Sequence, residues 1–290
     1  MPDNARTEGA AAHRIRLVCL GDSFTEGMSD DLRPDGHHVG WADRVADALA
    51  RQAAASDGSV EYANLAVRGK LLDQVVAEQL PIAASLSPTV TTFHAGPNDV
   101  LRRGTDLDDL FRRYADAVGH VSESGGQVLL FTAIGRAGGT GRVAQLLADR
   151  FARFNSNVRT VAERYGADVV DLEPVAALSD RRLWHSDRLH LNAAGHTRVA
   201  AAVLERLGIH DPDLLGGPEG WWAAPLPPRE PTTRRDDLDT DLAWIREHLA
   251  PWVMRRLRGT SSGDGRSPKD TSLQLLSPAP RDQAGPAPVS

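Results

Sequence analysis

A serine, a histidine and an aspartate in this chain have the types and spacing needed for a nucleophilic reaction. Ser23 follows Gly21-Asp22 directly after the apolar run Leu17-Val18-Cys19-Leu20. A buried strand entering a tight Gly-Asp-Ser turn and then a helix presents a hydroxyl at the carboxyl edge of a sheet, with backbone N–H groups aimed at the same spot. A serine hydroxyl is a poor nucleophile at neutral pH and needs a base to take its proton. Imidazole suits that task, and His190 is the candidate. Asp187 stands three positions earlier; its carboxylate can fix the second ring nitrogen and stabilise the imidazolium. On a loop or irregular turn, that spacing lets one short segment deliver both groups. The chemistry implied is attack on an ester carbonyl.

The elements that must carry these groups alternate along residues 14–210. Strand-like apolar runs occur at Ile15–Leu20, Val60–Leu65, Thr89–His94, Val128–Ala133 and Asp168–Leu172. Helical spacing separates them: Trp41, Val45, Ala48 and Leu49; Leu72, Val75, Val76 and Leu80; Leu110, Tyr114, Ala117 and Val121; Val143, Leu146, Leu147, Phe151 and Phe154; and Val199, Val203, Leu204 and Leu207. Short strands joined by helical crossovers predict an α/β fold, a three-layer α/β/α sandwich on a five-stranded parallel sheet of flavodoxin-like form. In such sheets ligands sit beyond the strand carboxyl ends, where each residue named above falls.

Four separated segments resemble the sequence blocks of the SGNH (GDSL-type) esterases and acylhydrolases, in order over about residues 14–208. They are Gly21-Asp22-Ser23, Asn64-Leu65-Ala66-Val67-Arg68-Gly69, Gly96-Pro97-Asn98-Asp99 and Asp187-Arg188-Leu189-His190. The resemblance implies Ser23 as nucleophile with Asp187 and His190 as its partners. It implies an oxyanion hole from the N–H of Ser23, the N–H of Gly69 and the side-chain amide of Asn98. Glycine suits position 69 because backbone with positive φ can approach substrate without a Cβ in the way. Arg68 departs from the pattern, since many members carry serine there; Arg68 and Asp22 are entered as candidate substrate contacts. Each residue also has a plainer reading. Asp22 holds the turn, Gly69 ends a strand–helix connection, and Asn98 or Asp99 caps the following helix. His185, Asp187 and His190 read as metal ligands only against their spacing, which fits no closed zinc site. No cofactor is expected.

Composition sets the remaining bounds. The 290 residues are 41% hydrophobic with a net charge of −6, and a nucleic-acid partner is not expected. A single cysteine, Cys19, excludes an internal disulfide framework and reads as core. The apolar run at Ile15–Leu20 is too short for a leader or a membrane span, so a cytoplasmic location and no stable membrane insertion are expected. Residues 1–13 are expected to be disordered, 14–210 to form the hydrolase domain, and 211–258 to hold a Pro-rich connector and an amphipathic helix on Leu238, Leu242, Ile245 and Leu249. Residues 259–290, rich in Ser, Pro, Gly and Asp, are expected to be a disordered tail. The Gly-rich stretch Gly135–Arg142 is expected as a mobile substrate-side loop, with Arg136 or Arg142 able to meet an anionic group. The expected partner is a small-molecule ester, short-chain or lipid-derived. The alternative is a binding domain that retains the fold without catalysis.

Overall fold

β1 (Arg14–Gly21) organises the molecule because its side chains alternate between two cores. Leu17 and Cys19 enter one apolar layer, Val18 and Leu20 the other, all without solvent exposure. The structure, a computed structural model, describes residues 14–135, 141–228 and 263–277. β2 (Ser59–Asn64), β3 (Val90–His94), β4 (Gln127–Phe131) and β5 (Asp168–Val170) lie parallel with β1, as expected. β1 and β3 lie between β4 and β2 in the order β5-β4-β3-β1-β2.

On one face of the sheet pack α2 (Gly40–Ala54) and α8 (Ala193–Arg206). Trp41 of α2 meets Phe131 of β4 with ring centroids 4.9 Å apart. The opposite face is covered by α3 (Leu72–Glu78), α4 (Leu80–Ser85), α6 (Leu107–Ser122) and α7 (Arg142–Tyr165). The single helix expected around Leu72–Leu80 is two, because Pro81 enters the first turn of α4 and cannot continue the ladder of α3. Local caps set other boundaries: Asp106 accepts from the N–H groups of Asp108 and Asp109, and Asn192 accepts from Gly195. The apolar face expected for α7 is buried only along its later turns. Phe154 is buried, whereas Val143 and Leu146 in the first two turns are exposed.

The sheet differs from the expected one at its β2 edge. A sixth strand, β6 (Gln274–Leu275), pairs antiparallel with β2, matching Leu275 to Glu61 and Gln274 to Tyr62. Residues 263–277 therefore form an ordered strap, although they fall inside the tail expected to be disordered. Composition misleads here because few apolar residues suffice: Leu273 and Leu276 are an odd number apart and reach the two opposite cores. The Lys269 ammonium, buried, donates to the carbonyls of His38 and Val39 and pairs with Asp43 Oδ2 at 2.7 Å. Burial pushes the Asp43 carboxyl up to about 6, against the pull of Lys269 and Arg33. The start of the expected connector is also docked, with Trp221, Trp222 and Leu226 packed on the core. The expected helix at Leu238–Leu249 and residues 1–13 lie outside the described residues. No helix among the described residues is long and apolar enough to cross a membrane.

Replacing Lys269 with Met leaves a buried carboxylate beside two carbonyls that have lost their donor. The loss expected is about 3 kcal/mol of strap docking. Hydrogen exchange checks this at the amides of Asp270 and Leu276, which donate to Asn64 and Val60 carbonyls: their protection should fall while that of β1 is retained.

Candidate active site

The position of Ser23 begins with a clamp on the end of β1. The buried Gln79 side chain accepts from the Gly21 N–H at 2.8 Å and donates to the Gly21 carbonyl at 2.9 Å. Asp22 then caps the short helix α1 (Ser23–Glu26) by accepting from the Phe24 N–H at 3.1 Å. Ser23 is the first residue of that helix, so its N–H has no intrahelical acceptor.

The histidine arrives on the segment that precedes α8. An antiparallel bridge between Trp184 and Leu191 and a bond from the His185 N–H to the His190 carbonyl close residues 185–190 into a hairpin. Asn192 anchors its far end, donating to the Arg182 carbonyl. Arg188 takes positive φ (56°), turning the chain between the aspartate and the histidine. His190 Nε2 consequently stands 3.1 Å from Ser23 Oγ, across 167 residues of sequence. Its Nδ1 lies 2.8 Å from Asp187 Oδ2. A carboxylate only accepts, so Nδ1 carries the proton and Nε2 offers a lone pair to the hydroxyl. The other oxygen of Asp187 accepts from the N–H groups of Leu189 and His190 at 2.8 and 3.0 Å. Burial works against ionisation of Asp187, but the hydrogen bond and charge of His190 and the two N–H groups outweigh it. Its carboxyl is held well below the usual range.

The profile of the GDSL-like lipase/acylhydrolase family matches residues 19–198, the span that holds all of these groups. The chain belongs to that family. It is therefore a carboxylic ester hydrolase, acting on small-molecule esters. No curated protein matches the sequence significantly. Among solved structures, it is similar to an alpha/beta hydrolase enzyme from the metagenome of Lake Arreo, Spain, with 22% identity and a TM-score of 0.55, covering 68% of this chain and 96% of that one. An acetylxylan esterase from Geobacillus stearothermophilus is 20% identical with a TM-score of 0.54, covering 69% and 97%. A psychrotrophic esterase from Pseudoalteromonas sp. is 15% identical with a TM-score of 0.52, covering 67% and 96%. At these identities the likeness is one of fold.

Within this GDSL-like hydrolase the remaining candidate residues have varied surroundings. Gly69 has φ +75°, the backbone expected there. Asn98 Nδ2 lies 3.0 Å from both Asp22 Oδ2 and the Lys70 carbonyl. The amide thereby ties the serine turn to the Gly69 loop, and one of these bonds must yield before it can donate elsewhere. Neither Asn98 nor Asp99 caps the short helix α5 (Pro97–Val100), whose N-cap is Gly96. Asp99 instead accepts from the Leu72 N–H and so supports the start of α3. Asp22 is not placed as a substrate contact: it is buried, one oxygen bound to the Phe24 N–H and the other to Asn98. Arg68 is also turned inward. Its N–H donates to Glu26 Oε2 at 2.6 Å, and its guanidinium Nε reaches Glu26 Oε1 at 2.8 Å, with Nη2 on the same oxygen.

Glu26 and Gln79 were not singled out by the sequence. Glu26 carries a faint signal, one helical turn beyond Ser23, whereas nothing local marks Gln79 as a clamp. His185 Nδ1 lies 3.5 Å from Asp187 Oδ2, beside the pair rather than between Asp187 and His190. His196 is buried; Nδ1 accepts from the Trp41 N–H and Nε2 meets the Met28 carbonyl. Burial holds it down to about 4, so it braces α2 as a neutral ring. Most of the Gly-rich stretch, including Arg136, lies outside the described residues.

Because the folded-state pKa of Asp187 is depressed, its stabilisation is present above the unfolded carboxyl value of about 3.9 and is lost as pH falls below it. Asp187→Asn should therefore unfold more easily than wild type at pH 5 by on the order of 1–3 kcal/mol. Denaturant titrations at descending pH should show that gap closing.

Proposed function

We propose that the chain hydrolyses short-chain carboxylic esters through an acyl-enzyme, with Ser23 as nucleophile, His190 as base and Asp187 as the partner that orients the imidazole. The observation that carries this reading is the unbroken relay from Asp187 Oδ2 through His190 to Ser23 Oγ, with links of 2.8 and 3.1 Å. As Oγ bonds to the ester carbon, its proton passes to Nε2 and the negative charge moves to the carbonyl oxygen. The N–H groups of Ser23 and Gly69 receive that oxygen, joined by Asn98 once its amide is released from Asp22 or Lys70. Collapse expels the alkoxide, which takes the proton from His190. Water then repeats the sequence on the acyl-enzyme and frees the acid.

Two features favour a small acyl group. The segments that meet at the hydroxyl carry polar, partly exposed side chains, among them Lys70, Asp187 and Arg188. The structurally similar Geobacillus protein is described as an acetylxylan esterase, and its catalytic mutants replace a serine, an aspartate and a histidine, the last two separated by three positions. Acetylated sugars are accordingly the proposed natural class.

Hydrolysis of p-nitrophenyl acetate tests the assignment. Ser23→Ala and His190→Ala should each lower kcat by about a thousandfold or more, with the folded circular-dichroism spectrum retained. Undiminished turnover by Ser23→Ala would remove Ser23 from the reaction. A panel of acyl lengths and acetylated xylo-oligosaccharides should show preference for acetyl.

A further inference from the structure

We propose that the C-terminal strap positions the oxyanion hole from behind, with Gly263 bracing the peptide that carries the Gly69 N–H. This rests on the proposed role of that N–H.

The strap lies outside the span matched by the family profile, yet it meets the site at the oxyanion loop. A Cβ built on Gly263 would fall 1.9 Å from the Arg68 carbonyl oxygen and 3.1 Å from its carbon. The Gly263 backbone thus lies directly against that oxygen. The Arg68 carbonyl and the Gly69 N–H belong to one peptide unit, and no described peptide bond is cis. In a trans peptide these two groups point in opposite directions. Contact on the carbonyl side therefore sets the direction in which the N–H faces.

The residue that supplies this carbonyl is held from its other side by the helix of Ser23. Glu26 takes both the Arg68 N–H and its guanidinium, and one turn earlier the helix carries Ser23. Arg68 is thus gripped between α1 and the strap, on either side of its Cα. The strap is fixed in turn by Lys269 on the His38 and Val39 carbonyls and Asp43, by the Asp270 N–H on the Asn64 carbonyl, and by β6 on β2. Asn64 opens the loop that ends at Gly69, so the strap crosses that loop near both ends. An oxyanion donor is effective only when held at the place where charge develops, and contacts from two independent segments constrain the loop more tightly than it constrains itself.

The test uses the full chain with p-nitrophenyl acetate as substrate and a trifluoromethyl ketone as mimic of the tetrahedral intermediate. Gly263→Ala should lower kcat about tenfold to a hundredfold with little change in KM, and should weaken inhibition by the ketone in parallel, because both depend on the oxyanion. Leu275→Ser, an exposed position of the strap, should leave both unchanged. Thermal unfolding of Gly263→Ala separates positioning from general damage: an unchanged midpoint with lowered kcat supports the proposal, whereas a lowered midpoint with kcat retained below it overturns it. If Gly263→Ala itself fails to fold, Lys269→Met serves, its protein being assayed well below its midpoint; normal kcat and normal ketone affinity with the strap shown by hydrogen exchange to be undocked would overturn the proposal. Ser23→Ala is measured alongside. Activity surviving that change would overturn the catalytic reading, whereas loss with Ser23→Ala and full activity with Gly263→Ala would defeat the strap proposal alone.

Discussion

Five parallel strands end on the same side of the sheet, and the assembly of the site depends on that constraint. The ends of β1, β2 and β3 adjoin because those strands are neighbours. The serine turn follows β1, the Gly69 loop follows β2, and Asn98 follows β3, so pairing in the sheet brings three distant segments together before any side chain of the site makes contact. Only the histidine has to be supplied otherwise. It comes from a hairpin anchored on α8, a helix packed against α2 on one face of the sheet. Burial of Val199, Val203 and Leu204 is therefore what brings His190 within reach of Ser23.

Much of this was legible in the chain because the relevant signals are local. Short apolar runs and helical apolar spacing mark the strands and most of the helices, and the four short blocks mark the residues that cluster. What escaped was set by partners far away in sequence. Arg68 reads as a charge available to substrate, but Glu26, 42 positions earlier, takes it inward. Asp22 reads either as a turn-holder or as a contact, and burial decides for the turn. Asn98 reads as a donor to substrate, yet its amide is engaged by Asp22 and Lys70. Val143 and Leu146 share the helical spacing of buried residues, but the first turns of α7 run past the edge of the core. The strap was least legible. Its composition is that of a solvated tail, and its order comes from one buried ammonium, an open sheet edge and two leucines rather than from a high apolar content.

Charge placement beneath the site follows one pattern. Asp22, Glu26 and Asp187 are three acidic groups close to Ser23, and each is saturated by N–H donors or a cation. Unsatisfied, such carboxylates would be costly to bury and would repel the negative charge that develops on an ester oxygen. Bound as they are, they act as struts between neighbouring loops: Asp22 joins the first and third, Glu26 the first and second.

The inward turn of Lys269 also governs how the protein can be handled. The chain has only two lysines, the other being Lys70. The Lys269 amine is sealed against carbonyls, and the Lys70 amine is largely covered and paired with Glu78, so reagents such as aldehydes or activated carbonates meet two hindered lysines. Tethering the protein to a resin through lysine would thus be inefficient, and the numerous carboxylates of the chain are the better handles.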